Sequence, residues 1–378
     1  MQLIHKFKLI QIFILFFILF YFLNIKYHFK IKDNDIKNKY YYDFKNNKIP
    51  SNKLNKYLEY INNSKNGIIM YKQNLIKSKY PKVTIVISMY NREDYINSTL
   101  KSAQNQRMKD LEIIIVDDFS SDNSIKYVEE AQKLDSRIFL IKNNKRKGTL
   151  FSKSIGVLYA KSKYIQSLDS DDMICFENYT EILYEESEIG NYDYIVCDYI
   201  IINLRQKTIL FKKYFNNVIL WQKFIKTEIY KNIIYKIGNN ILNKGIIQLD
   251  DNFIDIFLKG FYYKHLNIVG IFHFIHYKNH QWETKFNNDE TKNKFCEELL
   301  DTIDALYDVL ENDRKSKLYS YGELNTLFIK TKCFIIKNIR GKIIKVFLKF
   351  YKSKFFNNNE KNYIRYLLRI IGIIIKYK

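Results

Sequence analysis

The chain has 378 residues, of which 47% are hydrophobic, 16% aromatic and 27% charged. That apolar share supports a packed core and excludes a disordered or collagen-like chain. The formal net charge of +22 would ordinarily suggest a nucleic-acid partner, but its distribution argues against a nucleic-acid-binding core. Residues 1–80 hold 15 Lys against 4 acidic residues, and residues 313–378 hold 17 basic against 3 acidic. Residues 81–312 hold 30 basic and 33 acidic residues, so the patterned centre is slightly acidic. A Lys/Asn/Ile-rich composition bias accounts for the arms, with attraction to a membrane surface as a secondary effect. The four cysteines (Cys175, Cys197, Cys296 and Cys333) form no C-x-x-C pair. That removes a structural zinc ribbon and a disulfide-dense scaffold.

Leu9 to Leu23 reads LIQIFILFFILFYFL, and extending it to Ile25 gives 17 residues. This is the short end of what spans a bilayer as a helix. No Ala precedes Ala103 and no Gly precedes Gly67, so a small-residue cleavage site is missing. Residues 1–25 therefore read as a cytoplasmic tail and uncleaved signal anchor, making a single-pass membrane protein. In a eukaryote its place would be the Golgi or the endoplasmic reticulum. Lysines flank the run on both sides, so the positive-inside rule gives no orientation. Residues 26–80 are polar and without a sustained period, and read as a stem.

From residue 81 strands alternate with helices. Val83 to Ser88 is β-branched and apolar, the pattern of a strand buried on both faces. Asn91 is expected to cap a helix carrying Tyr95, Ile96, Leu100 and Ala103 inward. Glu112 to Val116 is a second buried strand ending in Asp117-Asp118. Ser120, Ser121 or Asp122 should cap the next helix, with Ile125, Val128 and Ala131 inward. Arg137 to Ile141 is a third strand, 143–148 a basic loop, and Thr149 opens a helix. Tyr164 to Leu168 is a fourth strand and runs into Asp169-Ser170-Asp171-Asp172. This βαβαβαβ rhythm implies a doubly wound, mostly parallel sheet flanked by helices.

Ligands of such sheets bind at the carboxyl ends of the strands. Here those ends carry Tyr90-Asn91, Asp117-Asp118 and the four residues from Asp169. Carboxylates gathered there repel one another, so a cation is expected among them, and their hard oxygens suit Mg²⁺ or Mn²⁺. Such an ion typically bridges to substrate phosphates. Capping explains Asp122 but not three acids in four positions after an apolar strand. The chain has no G-x-x-x-x-G-K-[ST] and no G-x-G-x-x-G after a strand, which excludes a P-loop and leaves a dinucleotide fold unsupported. His265, His273, His276 and His280 match no standard zinc spacing.

The block Pro81 to Arg92, the run Ile115-Val-Asp-Asp-Phe-Ser-Ser-Asp122 and Leu168-Asp-Ser-Asp-Asp172 resemble family 2 glycosyltransferases of the GT-A fold. The resemblance is strong over 81–175 and fades beyond. It implies a catalytic domain over 81–290, with a nucleotide-binding half at 81–175 and an acceptor half at 176–290. It implies a nucleotide-sugar donor, a carbohydrate or lipid-linked acceptor, and Mn²⁺ or Mg²⁺ as cofactor. By the family's pattern Ser88, Tyr90 and Asn91 line the nucleotide, with Tyr90 stacking on uracil. Asp117 and Asp118 lie beside it, Asp118 bonding the base. Asp169 and Asp171 form the D-x-D, with Asp171 the direct metal ligand and Asp172 a neighbour that shares the role. Lys153, Lys147 or Arg146 faces the phosphates.

Two departures stand out: Phe119 replaces a small residue, often Gly, and Lys153 replaces an Arg. Further along, Trp221 is placed either to stack on a sugar or in the core. Asp250-Asp251 falls where the family has an acidic pair, and Asp251 matches the catalytic base of an inverting transfer, the alternative being a helix cap. Phe295, Leu299, Ile303, Leu306 and Leu310 keep a helix period, so 291–378 reads as a basic helical extension. The competing reading is a catalytically silent binding protein on the same fold.

Overall fold

The structure is a computed structural model. It describes residues 80–276 apart from 205–207, 213–218, 243, 246–249 and 259, together with scattered helical positions between 293 and 361. The expected anchor, the stem and most of the C-terminal extension lie outside the described residues. Among the described residues no helix is long and apolar enough to cross a membrane.

Strand β1 (Val83–Met89), β2 (Leu111–Asp117), β3 (Ile138–Lys142) and β4 (Tyr164–Asp169) run parallel in the order β3-β2-β1-β4. Between them lie α1 (Ile96–Gln104), α2 (Ser124–Leu134) and α3 (Thr149–Tyr159). Every residue of β2 is buried, and β1 keeps only Ser88 partly open. Covered on both faces, these strands read as continuous apolar runs rather than alternating ones. Helix α3 lies close against the sheet: a Cβ added at Gly156 would come within 2.5 Å of Val86 Cγ1.

The second half extends the same sheet differently from the first. After β5 (Met173–Ile174) and α4 (Tyr179–Gly190) come β6 (Tyr194–Asn203), β7 (Thr208–Lys212) and β8 (Lys223–Lys226). Then follow α5 (Thr227–Ile237), α6 (Asn239–Leu242), α7 (Asp250–Leu258) and β9 (Tyr263–Ile275). Strand β8 slots between β4 and β6, antiparallel to both, and β9 pairs parallel with β6. The fold is thus mixed α/β, with a parallel first half and a mixed-direction second half. The described positions 296, 300 and 305 are helical and buried.

Two capping expectations differ from the structure. Asn91 is not the N-cap of α1, because Tyr95 occupies that position. Asn91 instead adopts a left-handed turn at φ 50°, accepts from the Ser121 N–H at 2.9 Å and donates its own N–H to Ser120 Oγ. Its short polar side chain suits both tasks. The N-cap of α2 is Asn123, so none of Ser120, Ser121 and Asp122 takes that place. Asp122 Oδ1 nevertheless accepts from the Ser124 N–H just inside it.

Candidate active site

The carboxyl ends of β1, β2 and β4 meet at one edge of the parallel half. The register sets Ser88 beside Asp169 and Met89 beside Asp117. Asp169, Asp171 and Asp172 follow within one turn, and one oxygen from each lies within 4.8 Å of the others.

Their surroundings differ. Asp172 is fully buried, with its two oxygens each 3.0 Å from His273 Nδ1 and Oδ1 accepting the Phe274 N–H. Burial lifts its carboxyl to about 7, although His273 pulls the other way. For His273 burial works against the charge, yet Asp172 and its neighbours lift it to about 9. Asp171 Oδ2 lies 3.2 Å from Arg92 Nε and 3.1 Å from His276 Nε2. Burial alone would raise the Asp171 carboxyl, but Arg92 and His276 outweigh it and hold it well below the usual range. Asp169 is the most open of the three, with 31% of its side chain exposed. Burial, together with Asp251 and Asp171, raises it against the pull of Lys153.

A divalent ion fits this set. Asp169 and Asp171 offer hard oxygens at suitable separation, and Asp169 opens toward solvent. Asp172 stands behind them, bound to His273 and the β9 backbone.

Lys153, on α3, joins this cluster to α7. Its Nζ lies 3.3 Å from Asp169 Oδ1 and 2.9 Å from Asp251 Oδ1, with only 5% of its side chain exposed. Asp251 Oδ2 accepts the Leu220 N–H at 3.0 Å. The Asp251 carboxylate is therefore held at both oxygens and aimed at the acidic cluster. Asp250 begins α7, and its side chain lies outside the described residues.

The turn after β2 also has fixed geometry. Asp118 is buried and accepts three hydrogen bonds: Asn143 Nδ2 at 3.0 Å, Lys147 N–H at 2.7 Å and Gly148 N–H at 2.9 Å. It pins the basic loop ahead of α3, a use the sequence did not suggest. Asp117 is buried as well, its Oδ2 taking the Ser120 N–H, and burial raises its carboxyl. The Arg146 guanidinium sits 4.0 Å over the Tyr90 ring, so one face of that ring is already covered. Phe119 takes φ 70° and stays 56% exposed, which explains why a small residue suits that position.

Trp221 resolves to the core: it is 4% exposed, stacked on His273 and edge-on to Tyr199. His276 is also buried, stacked on Tyr95 at 3.9 Å. Arg92, Tyr95 and His273 are the site residues that sequence reasoning passed over. Arg92 had one signal, its place in the turn directly after β1.

Comparison with known proteins bears on the family of the chain. The Glycosyl transferase family 2 model matches residues 84–247. The chain is 33% identical over 195 residues to the Escherichia coli UDP-Glc:alpha-D-GlcNAc-diphosphoundecaprenol beta-1,3-glucosyltransferase WfaP, covering 47% of this chain and 76% of that one. It is 30% identical to the Borreliella burgdorferi cholesterol galactosyltransferase, over 49% of this chain and 57% of that protein. An uncharacterized Haemophilus influenzae glycosyltransferase is 38% identical over 93 residues, only 29% of its own length. The solved structure of S. aureus TarS superposes with a TM-score of 0.49 at 13% identity, covering 77% of this chain and 53% of that one. The chain belongs to the family 2 glycosyltransferases.

Proposed function

We propose that the protein transfers a sugar from a nucleotide-sugar, a UDP-sugar in first place, to a hydroxyl of a carbohydrate or lipid-linked acceptor, with inversion at the anomeric carbon. The observation that carries this reading is the Lys153 bridge, which brings Asp251 to the edge of the acidic cluster. Asp251 would take the proton of the acceptor hydroxyl as its oxygen bonds to the anomeric carbon. The bond from that carbon to the nucleoside diphosphate breaks, and the diphosphate leaves with its electron pair. Asp169 and Asp171 would hold Mn²⁺ or Mg²⁺, which when bound neutralises charge on the diphosphate. Asp118 and the loop it pins would form the nucleotide side, with Tyr90 and Arg146 as a stacked pair beside it. Lys153 serves both carboxylates rather than the phosphates alone in this scheme.

The apolar run Leu9–Leu23 would tether the domain to a membrane, which suits a lipid-linked acceptor of the kind named for WfaP. The test is nucleoside-diphosphate release by the full chain with Mn²⁺ or Mg²⁺, across UDP- and GDP-sugars and lipid-linked acceptors, beside Asp171→Asn. The reading expects metal-dependent release from one donor, lost in the variant. Absence of both release and calorimetric donor binding would overturn it in favour of a silent binding protein.

A further inference from the structure

Asp251 sits on α7, and four residues later the same helix carries Asp255. Positions i and i+4 share a helix face. Both carboxylates grip the same neighbouring segment, 219–223. Asp251 Oδ2 accepts the Leu220 N–H at 3.0 Å. Asp255 Oδ1 lies 3.1 Å from Lys223 Nζ, which also donates to the Ile219 carbonyl at 2.8 Å. Lys223 has no exposed side-chain surface and Asp255 only 9%.

That segment is not a loose loop. Lys223 opens β8, whose Phe224 is paired with Gln166 of β4, three residues before Asp169. Trp221 stacks on His273, which in turn holds Asp172. Residues 219–223 thus form a strut with the acidic cluster on one side and α7 on the other. We infer that the buried Lys223–Asp255 pair is a positioning device that fixes α7 on this strut and so sets the reach of Asp251 toward the reacting centre. The inference rests on the reading of Asp251 as the base.

The pair confers specificity of geometry rather than stability. Burying an ammonium and a carboxylate costs desolvation, and apolar replacements of similar size are often as stable or more so. Such a pair does impose one geometry: Lys223 must meet Asp255 and the Ile219 carbonyl together, which fixes the rotation and height of α7. Misplacing a catalytic group by about 1 Å can cost about 100-fold in rate. Lys223 and Asp255 act here through Asp251 and are positioning residues.

The test uses the full-length protein with Lys223→Met and Asp255→Val combined, so that neither charge is left buried alone. Thermal unfolding, calorimetric Kd for the nucleoside diphosphate, and kcat and donor KM for the donor turned over by the wild type are measured together. Expected is a kcat lowered at least about tenfold, with Kd, KM and Tm nearly unchanged. Lys223→Arg, which keeps the cation, should restore part of kcat. An unchanged kcat overturns the inference. So does a parallel loss of Tm, Kd and kcat, which would make the pair a structural clamp only. Failure of the wild type both to turn over and to bind any donor is a separate result, sinking the transferase reading and this inference with it.

Discussion

Replacing Asp118 with Ala separates two roles for that residue. The family resemblance makes it a contact for the nucleotide base, whereas the structure makes it the anchor of the 143–148 loop. Its carboxylate accepts from Asn143, Lys147 and Gly148, all within 3.0 Å, in a buried setting. Hydrogen bonds to a charged group contribute about 1.5–3 kcal/mol each, and the three are not independent. Asn143 also keeps Ser152 Oγ at 3.0 Å after the substitution, which softens its loss. We therefore expect a net destabilisation of about 4 kcal/mol, a large part of the stability of an ordinary domain. In a domain of this size that lowers Tm by roughly 8–16 °C. Thermal unfolding of the nucleotide-free protein, followed by circular dichroism, measures it. Loop release should also weaken nucleotide binding, since Arg146 is carried on the same loop. A variant with wild-type Tm that has lost nucleotide binding would refute the anchoring role and return Asp118 to a purely ligand-facing one.

Three further outcomes are expected. Gly156→Ala should destabilise by about 1–3 kcal/mol, because its methyl group would meet Val86 at 2.5 Å within a close-packed contact; denaturant unfolding reads it. Phe119→Gly should raise Tm, since a bulky residue held left-handed costs about 1–2 kcal/mol and glycine does not. Stability of the metal-free protein should fall as pH rises from about 4 to about 9. Asp172, lifted to about 7, binds a proton in the folded state that the unfolded chain has released, so its contribution is lost between about pH 4 and about pH 7. His273, lifted to about 9, stabilises fully below its ordinary 6.5 and loses this as pH passes 9. A Tm profile in chelator that is flat or rising from pH 6.5 to 9, or unaltered by His273→Gln, would contradict that assignment.

The parallel half was legible in the sequence because strands covered on both faces must be written in apolar, β-branched residues. Val83–Met89 and Leu111–Asp117 follow their sequence boundaries within a residue or two. The acids at their ends stood out because no strand or helix needs them there. Local turn chemistry was less legible: Asn91 is a good cap by residue type, but its left-handed turn depends on Ser120 and Ser121, some thirty residues away. The insertion of β8 between β4 and β6 is a long-range pairing that no local pattern encodes. The same holds for charge partners. Lys153 reads as a phosphate-facing residue, yet it reaches Asp251, 98 positions along the chain. Trp221 had two readings, and its burial between His273 and Tyr199 decides for the core.

In the proposed reaction Asp251 deprotonates the acceptor. The most direct measurement is turnover by Asp251→Asn beside wild type, in Mn²⁺ or Mg²⁺, with donor binding followed by calorimetry on the same samples. Expected are a donor affinity within a few-fold of wild type and a kcat lower by about 100-fold or more, the share general base catalysis supplies. Wild-type turnover in Asp251→Asn would contradict it and move the base elsewhere in the site.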